Sequence, residues 1–235
     1  MQAIILAGGK GMRLRPYTAT FPKPLVPIGE KPILEIVIRQ LKKAGFKDII
    51  ISTGHLADLI QAYFGDGSKY GVKIRYVRED RPLNTAGALR LIDGLEDEFL
   101  VMNGDILTTM DYNKMLEFHS KKKACATIGV HERNEKIDYG VITSDGDSSM
   151  EDYVEKPTIP FLVSMGINIL NKKCISYIKD DEAIGMPELM LRLKSNAEKV
   201  FCYKEKCEWL DIGRPRDYEL AQKEMEKRPE RYVND

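Results

Sequence analysis

The sequence has no apolar run approaching the length of a membrane span, and its first residues lack the charged and hydrophobic regions of a secretory leader. A cytoplasmic protein with no membrane partner is therefore expected. Cysteine is scarce: Cys125, Cys174, Cys202 and Cys207 form no Cys-x-x-Cys pair, which argues for reduced, mostly buried thiols over disulfides or zinc. The three histidines, His55, His119 and His131, are scattered without ligand spacing, so neither metal binding nor general-base duty is expected of them. Net charge is absent as well, with 36 basic residues against 36 acidic, which excludes a whole-protein attraction to nucleic acid. No Pro/Gly/Ser-rich linker, internal repeat or low-complexity tract interrupts the 235 residues.

What is present is concentrated at the beginning. Ala3 to Ala7 is a short apolar run that reads as a buried strand and stops at Gly8, Gly9 and Gly11. Glycines there let backbone N–H groups approach a phosphate with no Cβ in the way. Lys10, Arg13, Arg15, Lys23 and Lys31 surround the same loop against the single acid Glu30. Its partner should be a small anion. The dinucleotide fingerprint G-x-G-x-x-G is excluded because Leu14 occupies its third glycine position. A P-loop is excluded because no Gly-Lys pair precedes a hydroxyl residue here.

The remaining pattern, G-G-x-G-x-R-L-x-P followed by P-K-P, resembles the sugar-1-phosphate nucleotidyltransferase family. The resemblance continues through PLNTAGAL (Pro82 to Leu89), NGD (Asn103 to Asp105), YGV (Tyr139 to Val141), VEKP (Val154 to Pro157) and WLDIG (Trp209 to Gly213). It thus covers nearly the whole chain, and the motif spacing is most similar to the mannose-1-phosphate guanylyltransferase-like branch. The resemblance implies a nucleotide site formed by Leu6, Ala7, Gly8, Gly9, Gly11, Met12 and Arg13 with Asn84, Thr85 and Gly87. It also implies a sugar-phosphate site of Gly140, Glu155, Lys156 and Asn168. Glu155 would accept from sugar hydroxyls and Lys156 would hold the sugar phosphate. Three places depart from the family pattern: Asn84 replaces a usual glycine, Met12 stands where a small hydroxyl residue is preferred, and Ser164-Met165 precede Gly166 where an asparagine and a small residue are usual. The chain is expected to be the catalytic unit alone, without the C-terminal β-helix or acyltransferase domain that family members often carry.

Apolar periodicity predicts an α/β fold: a Rossmann-like mixed, mainly parallel sheet flanked by helices, with a smaller antiparallel sugar-binding lobe. Strand, helix, strand, helix and strand follow one another from Ala3 to Val77, with helices opening at Pro32 and Leu56. A loop at 82–87 then precedes a helix at 88–92, where Thr85 is a candidate cap that would leave neighbouring N–H groups free. A fourth parallel strand, Phe99 to Met102, ends at Asn103-Gly104-Asp105. From Ala124 to Leu170 short strands follow one another, which reads as an antiparallel excursion at the sheet edge. A helix at 187–194, a strand at 200–203 and an amphipathic helix from Pro215 to Met225 complete the chain, and the charged tail from Lys227 to Asp235 is expected to be loose. These elements are taken as one domain over 1–235, with 1–123 mainly the nucleotide lobe and 124–235 mainly the sugar-phosphate lobe.

The expected chemistry joins a nucleoside triphosphate to a sugar 1-phosphate and releases pyrophosphate. Ligands of open α/β sheets sit beyond the carboxyl ends of strands, so Asp105 and Asp211 are expected to hold one Mg²⁺ between them. Arg13, Lys23, Asp105 and Lys156 are the expected catalytic residues, acting by positioning and electrostatics. Trp209 is read as a core anchor. Two rival readings are a nucleotide-sugar-dependent glycosyltransferase, disfavoured because NGD carries one aspartate where D-x-D is usual, and a non-catalytic regulatory subunit. Guanylyl transfer to a hexose or heptose 1-phosphate is the first expectation, with uridylyl, thymidylyl and cytidylyl transfer left open. A homodimer is left possible.

Overall fold

The computed structural model describes residues 1–232. In chain order its elements are β1 (Gln2–Ala7), β2 (Pro27–Ile28), β3 (Lys31–Pro32), α1 (Ile33–Lys43), β4 (Asp48–Thr53), α2 (Ala57–Phe64), β5 (Lys73–Arg78), α3 (Asn84–Gly87), β6 (Glu98–Asn103), β7 (Ile106–Thr108) and α4 (Tyr112–Lys122). They continue as β8 (Ala126–Lys136), β9 (Gly140–Ser144), β10 (Met150–Glu155), β11 (Thr158–Asn171), α5 (Met186–Ser195), β12 (Val200–Lys204), β13 (Trp209–Asp211) and α6 (Pro215–Lys227). The central sheet has seven strands in the order β12-β8-β11-β6-β1-β4-β5. Only β11 runs against its neighbours; the other pairings are parallel.

Both faces of this sheet are covered, as near-continuous apolar strands require. On one side Leu34, Val37, Ile38 and Leu41 of α1 pack with Ile60 and Phe64 of α2 and Met115 of α4 against Ala3, Ile5, Ile49 and Ile51. On the other, Ala86 of α3 and Leu189, Met190 and Leu193 of α5 pack against Ile4, Ile50, Phe99 and Val101. A third cluster joins Leu14, Val26, Ile28, Leu107, Ile212, Ala221 and Met225, so α6 clamps the base of the glycine loop. Leu14, which breaks the dinucleotide fingerprint, is fully buried there.

The structure corrects several expectations. Helix α4 carries a single narrow stripe, Tyr112, Met115 and His119, as its buried residues, too weak a periodic signal to stand out from its polar surroundings. Its start is capped by Asp111, whose carboxylate accepts from the N–H groups of Asn113 and Lys114 at 3.0 and 3.2 Å. The helical turn expected at 88–92 begins at Asn84 and tightens to a 3₁₀ turn over Ala88–Leu91. The antiparallel strands do more than cover an edge: β8 and β11 enter the central sheet. Cys202 is exposed and Cys207 only half-buried, while Cys125 and Cys174 are buried as expected. Of the tail, Tyr232 is 2% exposed and its hydroxyl donates to Glu208 Oε2 at 2.6 Å; residues 233–235 lie outside the described residues.

Candidate active site

A cavity of about 1130 Å³ opens at the carboxyl ends of β1, β4, β5 and β6. Its size suits a nucleotide-scale ligand. Gly8, Gly9, Lys10, Gly11, Met12 and Arg13 form one wall, with Leu6 and Ala7 at its floor and Lys23 beside it. A Cβ on Gly9 would meet nothing within 4 Å, so the backbone there faces open space. Gly11 has φ +62°, and its carbonyl accepts from Thr18 Oγ1 at 2.7 Å and from the Leu14 N–H at 3.0 Å. The left-handed turn is thereby held in place, and it aims the loop at the cavity.

Across from this loop the two expected carboxylates meet. Asp105 follows β6, and Asp211 ends β13, which pairs antiparallel with β7 so that Asp211 stands opposite Ile106. The Ile212 N–H donates to the Asp105 carbonyl at 3.1 Å, stitching the two segments together. Lys23 Nζ forms a largely buried ion pair with Asp105 Oδ2, the side chains 12% and 18% exposed. A Cβ on Gly213 would lie 3.6 Å from Asp211 Oδ1 and 3.7 Å from Arg13 Nη2, so this glycine leaves room where cation and carboxylate converge. Burial first, and then repulsion from Asp105, raise the Asp211 carboxyl above its ordinary value, against the opposing pull of Lys23 and Arg13.

No protein hydrogen bond reaches the Asp211 carboxylate among the described residues, and no group of three or more His, Cys, Asp and Glu side chains gathers as a metal cluster. Two hard oxygen donors and a raised acid next to a phosphate-sized cavity nevertheless fit a divalent cation. Mg²⁺ in particular commonly takes one or two carboxylates and completes its shell with substrate phosphates and water.

The PLNTAG segment behaves in part as expected. Asn84, at φ +61°, and Thr85 line the cavity. Thr85 does not cap its own helix: its hydroxyl accepts from the Met186 N–H at 2.7 Å, capping α5. The N–H groups of Ala86 and Gly87 are also taken, both by the Ile184 carbonyl at 3.0 Å. Gly87 does not line the cavity; a Cβ there would come within 2.3 Å of the Glu182 carbonyl. Packing of α3 on the 182–184 segment requires that glycine.

The cavity lining does not include Gly140, Glu155, Lys156 or Asn168. Asn168 is 4% exposed in the middle of β11, opposite Val101 and Ile128. Gly140, Glu155 and Lys156 sit on a projecting hairpin, with the Glu155 and Lys156 side chains 61% and 55% exposed. Lys156 has φ +47° and its N–H donates to the Tyr139 carbonyl at 3.2 Å, fixing the joint at which the hairpin begins.

Glu79 was not anticipated. It follows β5 and lines the cavity, accepting from Ser52 Oγ at 3.1 Å and from the Leu83 N–H at 3.0 Å. A side chain on Gly8 would collide with it at 2.6 Å. The rule that singled out Asp105, a carboxylate just past a parallel strand, applies equally to Glu79 and could have found it. His55 also lines the cavity; Trp209 is half-buried, its Nε1–H donating to the Met165 carbonyl at 3.1 Å as befits an anchor.

A nucleotidyl transferase family model matches residues 2–228. The chain belongs to that family. Among its relatives is the UTP--glucose-1-phosphate uridylyltransferase of Synechocystis, 33% identical over 93% of this chain and 61% of that protein. Another is the D-glycero-alpha-D-manno-heptose 1-phosphate guanylyltransferase of Aneurinibacillus thermoaerophilus, 33% identical over 96% of this chain and 99% of that one. Several curated relatives are longer, and the chain spans 61–63% of their length. The crystal structure of HddC from Yersinia pseudotuberculosis complexed with GMP-PN superposes on this family member with a TM-score of 0.71 and 28% identity, covering 95% of this chain and 99% of that one. No helix of the described residues is long and apolar enough to cross a membrane.

Proposed function

We propose that this chain is a sugar-1-phosphate nucleotidyltransferase, joining a nucleoside triphosphate to a sugar 1-phosphate to give an NDP-sugar and pyrophosphate. The observation that carries the reading is the convergence of Arg13, Lys23 and Asp105 on one cavity walled by a glycine loop, with Asp211 behind the lining and within electrostatic reach of all three. Guanylyl transfer to a hexose or heptose 1-phosphate is the preferred specificity. It is supported by the near-complete mutual coverage with the heptose-phosphate enzyme and by the fit to a structure holding GMP-PN. A longer uridylyl relative of equal identity keeps the test of the base essential.

In this reading an oxygen of the sugar phosphate attacks the α-phosphorus in line, a P–O bond forms, and the bond to the bridging oxygen of pyrophosphate breaks. No general base is needed, because a phosphate monoester has its second pKa near about 6 and is mostly dianionic at neutral pH. The glycine loop, through the N–H groups of Gly8, Gly9 and Gly11, seats the triphosphate, with Leu6, Ala7, Met12, Asn84 and Thr85 around the nucleoside. Arg13 stabilises the charge gathering on the leaving pyrophosphate through its planar fork. Lys23, steered by Asp105, orients the reacting phosphate. Asp105 and Asp211 would hold Mg²⁺, which supplies charge neutralisation between the two anionic substrates. Lys156 and Glu155 would seat the sugar phosphate once the hairpin approaches the cavity. The chain is taken to act in the cytoplasm, as one catalytic domain, and as a homodimer.

The decisive experiment is a matrix of GTP, UTP, dTTP and CTP against mannose, glucose and heptose 1-phosphates with Mg²⁺, read as released pyrophosphate. Turnover is expected to be highest in the GTP row. Absence of pyrophosphate from every pair, despite nucleotide-sugar binding, would instead establish the non-catalytic reading.

A further inference from the structure

Glu188 is a carboxylate without a partner in a cavity built for anions. It lines the cavity beside Gly185 and Pro187, in the first turn of α5, yet forms no hydrogen bond or ion pair among the described residues. Its helix does not depend on it. Thr85 Oγ1 already takes the Met186 N–H at 2.7 Å, the Gly185 carbonyl takes that of Leu189 at 3.1 Å, and an exposed acid in a first turn adds little by itself. A Cβ on Gly185 would collide with Glu188 Oε2, so the carboxylate folds back over that glycine at the cavity wall.

Asn103 is in the same condition. It ends β6 and lines the cavity, and its carboxamide has no hydrogen bond among the described residues. A Cβ on Gly166 would stand 2.6 Å from its Nδ2, so the amide lies against that backbone. The two-residue period places Asn103 with Phe99 and Val101 on the sheet face that α5 covers. Asn168, opposite Val101 in β11, shares this face; it is 4% exposed and its Oδ1 accepts from nothing in the described chain. Unused polar capacity next to a cavity is costly unless a ligand takes it up.

The cavity extends to both sides of the glycine loop, which follows β1 in the middle of the sheet. One side lies at the ends of β4 and β5, with Gly54, His55 and Glu79; the other lies at the end of β6, with Asn103 and Asp105, and the start of α5 closes it. Strands β11 and β8 continue the sheet beyond β6 on this second side, and the hairpin bearing Glu155 and Lys156 projects from them. The nucleoside and the sugar meet only through their phosphates and fit opposite sides of the loop. The hairpin assigns the β6 side to the sugar.

We propose that Glu188 and Asn103 form a hydroxyl-reading subsite: the Glu188 carboxylate accepts from adjacent hydroxyls of the sugar 1-phosphate, and the Asn103 carboxamide bonds the same ring. The proposal rests on the transferase reading above and names which groups of the sugar the site recognises. An ionised carboxylate is an acceptor only, so Glu188 repels phosphate and calls for a donor. It is not a third ligand beside Asp105 and Asp211, because no three acidic, histidine or cysteine side chains gather among the described residues. Hydroxyl donors remain, and the two oxygens of one carboxylate can serve two of them. An amide both donates and accepts, so Asn103 suits a hydroxyl in either sense. A site of this kind rejects an analogue lacking the hydroxyl, since its own polar groups are then left unpaired. Because α5 starts next to Thr85, the ribose is the competing owner of Glu188.

Steady-state pyrophosphate release by the intact chain tests this, with GTP, Mg²⁺ and whichever of mannose, glucose or heptose 1-phosphate turns over fastest. Glu188→Gln keeps the shape of the side chain and removes its charge. The KM for the sugar 1-phosphate is expected to rise about tenfold or more, the loss of a charged hydrogen bond, while kcat and the KM for GTP hold. The 2-, 3- and 4-deoxy forms of that sugar phosphate supply the second arm: wild type should discriminate against at least one, and Glu188→Gln should treat that one like the parent. Discrimination between GTP and 2′-deoxy-GTP should be the same in both proteins. An unmoved sugar KM, or equal discrimination against every deoxy sugar by both proteins, overturns the proposal. A rise in the GTP KM alone gives Glu188 to the ribose and overturns it too, as does a joint loss of both affinities and of melting temperature, which would make Glu188 a helix-start acid only. Silence of every substrate pair with wild type removes the transferase reading itself; turnover that ignores Glu188 removes only this subsite.

Discussion

At the scale of single residues, two side chains separate catalysis from stability. Arg13 is exposed while its neighbour Leu14 is fully buried, so Arg13→Ala should lower kcat by about 10²–10³, the cost of removing one preorganised donor, with the melting temperature unmoved. A variant turning over at the wild-type rate would strip Arg13 of its role. Asp211 should show the opposite balance. Its folded carboxyl is raised, by burial and by Asp105, so the ionised form costs stability at every pH above the folded value. That cost disappears as pH falls towards the unfolded value of 3.8. Metal-free Asp211→Asn should therefore melt higher than wild type at pH 7, by about 2–4 °C for each kcal/mol relieved, and lose its stabilisation by Mg²⁺ and its activity. A lower melting temperature at pH 7, with the Mg²⁺ response retained, would refute the metal role. Lys156→Ala should weaken sugar 1-phosphate binding about tenfold or more while GTP affinity holds, since a charged hydrogen bond contributes about 1.5–3 kcal/mol; calorimetry with each substrate separates the two. Residue types at the loop were legible because glycine and base in that spacing suit few other ligands. Glu79, just past β5, obeys the same strand-end rule as Asp105, but its neighbours Arg78, Asp80 and Arg81 disguise it as part of a solvated charge run.

At the scale of elements, short-range pattern and long-range packing part company at α3. Its sequence reads as a loop with a cap, yet Leu83 lends its carbonyl to the Ile184 N–H at 3.1 Å, and Thr85 serves α5. The wall of the cavity is thus tied to a helix that begins a hundred residues later. Gly87→Ala should be destabilising by about 1–3 kcal/mol from overpacking, because the new methyl would meet a backbone carbonyl at 2.3 Å that no rotamer can vacate. The φ of Gly87 is −60°, ordinary for alanine, so backbone strain contributes nothing. Unfolding in urea measures the effect, and an unaltered midpoint would show that the 182–184 segment yields freely. Helix α4 teaches the same lesson: three buried side chains on eleven residues give too faint a stripe for the sequence to declare a helix.

At the scale of the whole molecule, ligand binding should be visible as stability. Saturating GTP with Mg²⁺ at a hundred times its dissociation constant should add about 2.7 kcal/mol and raise the melting temperature by about 5–10 °C. UTP should do so less at equal concentration; an equal or larger shift with UTP would move the specificity to the uridylyl relatives. The sequence by itself determined the glycine-and-base loop, the strand-helix alternation that builds the parallel half of the sheet, and the residue types available to meet phosphates. These are local matters, set by turn chemistry and by side-chain period along a few residues. Tertiary structure alone decided that Asp105 and Asp211, about a hundred residues apart, become neighbours, because that depends on β7 pairing with β13. It also decided that the segment carrying Glu155 and Lys156 stands away from the body with its apolar residues in water. Alternation along a strand says which residues share a face, but only the packed chain says whether anything covers it.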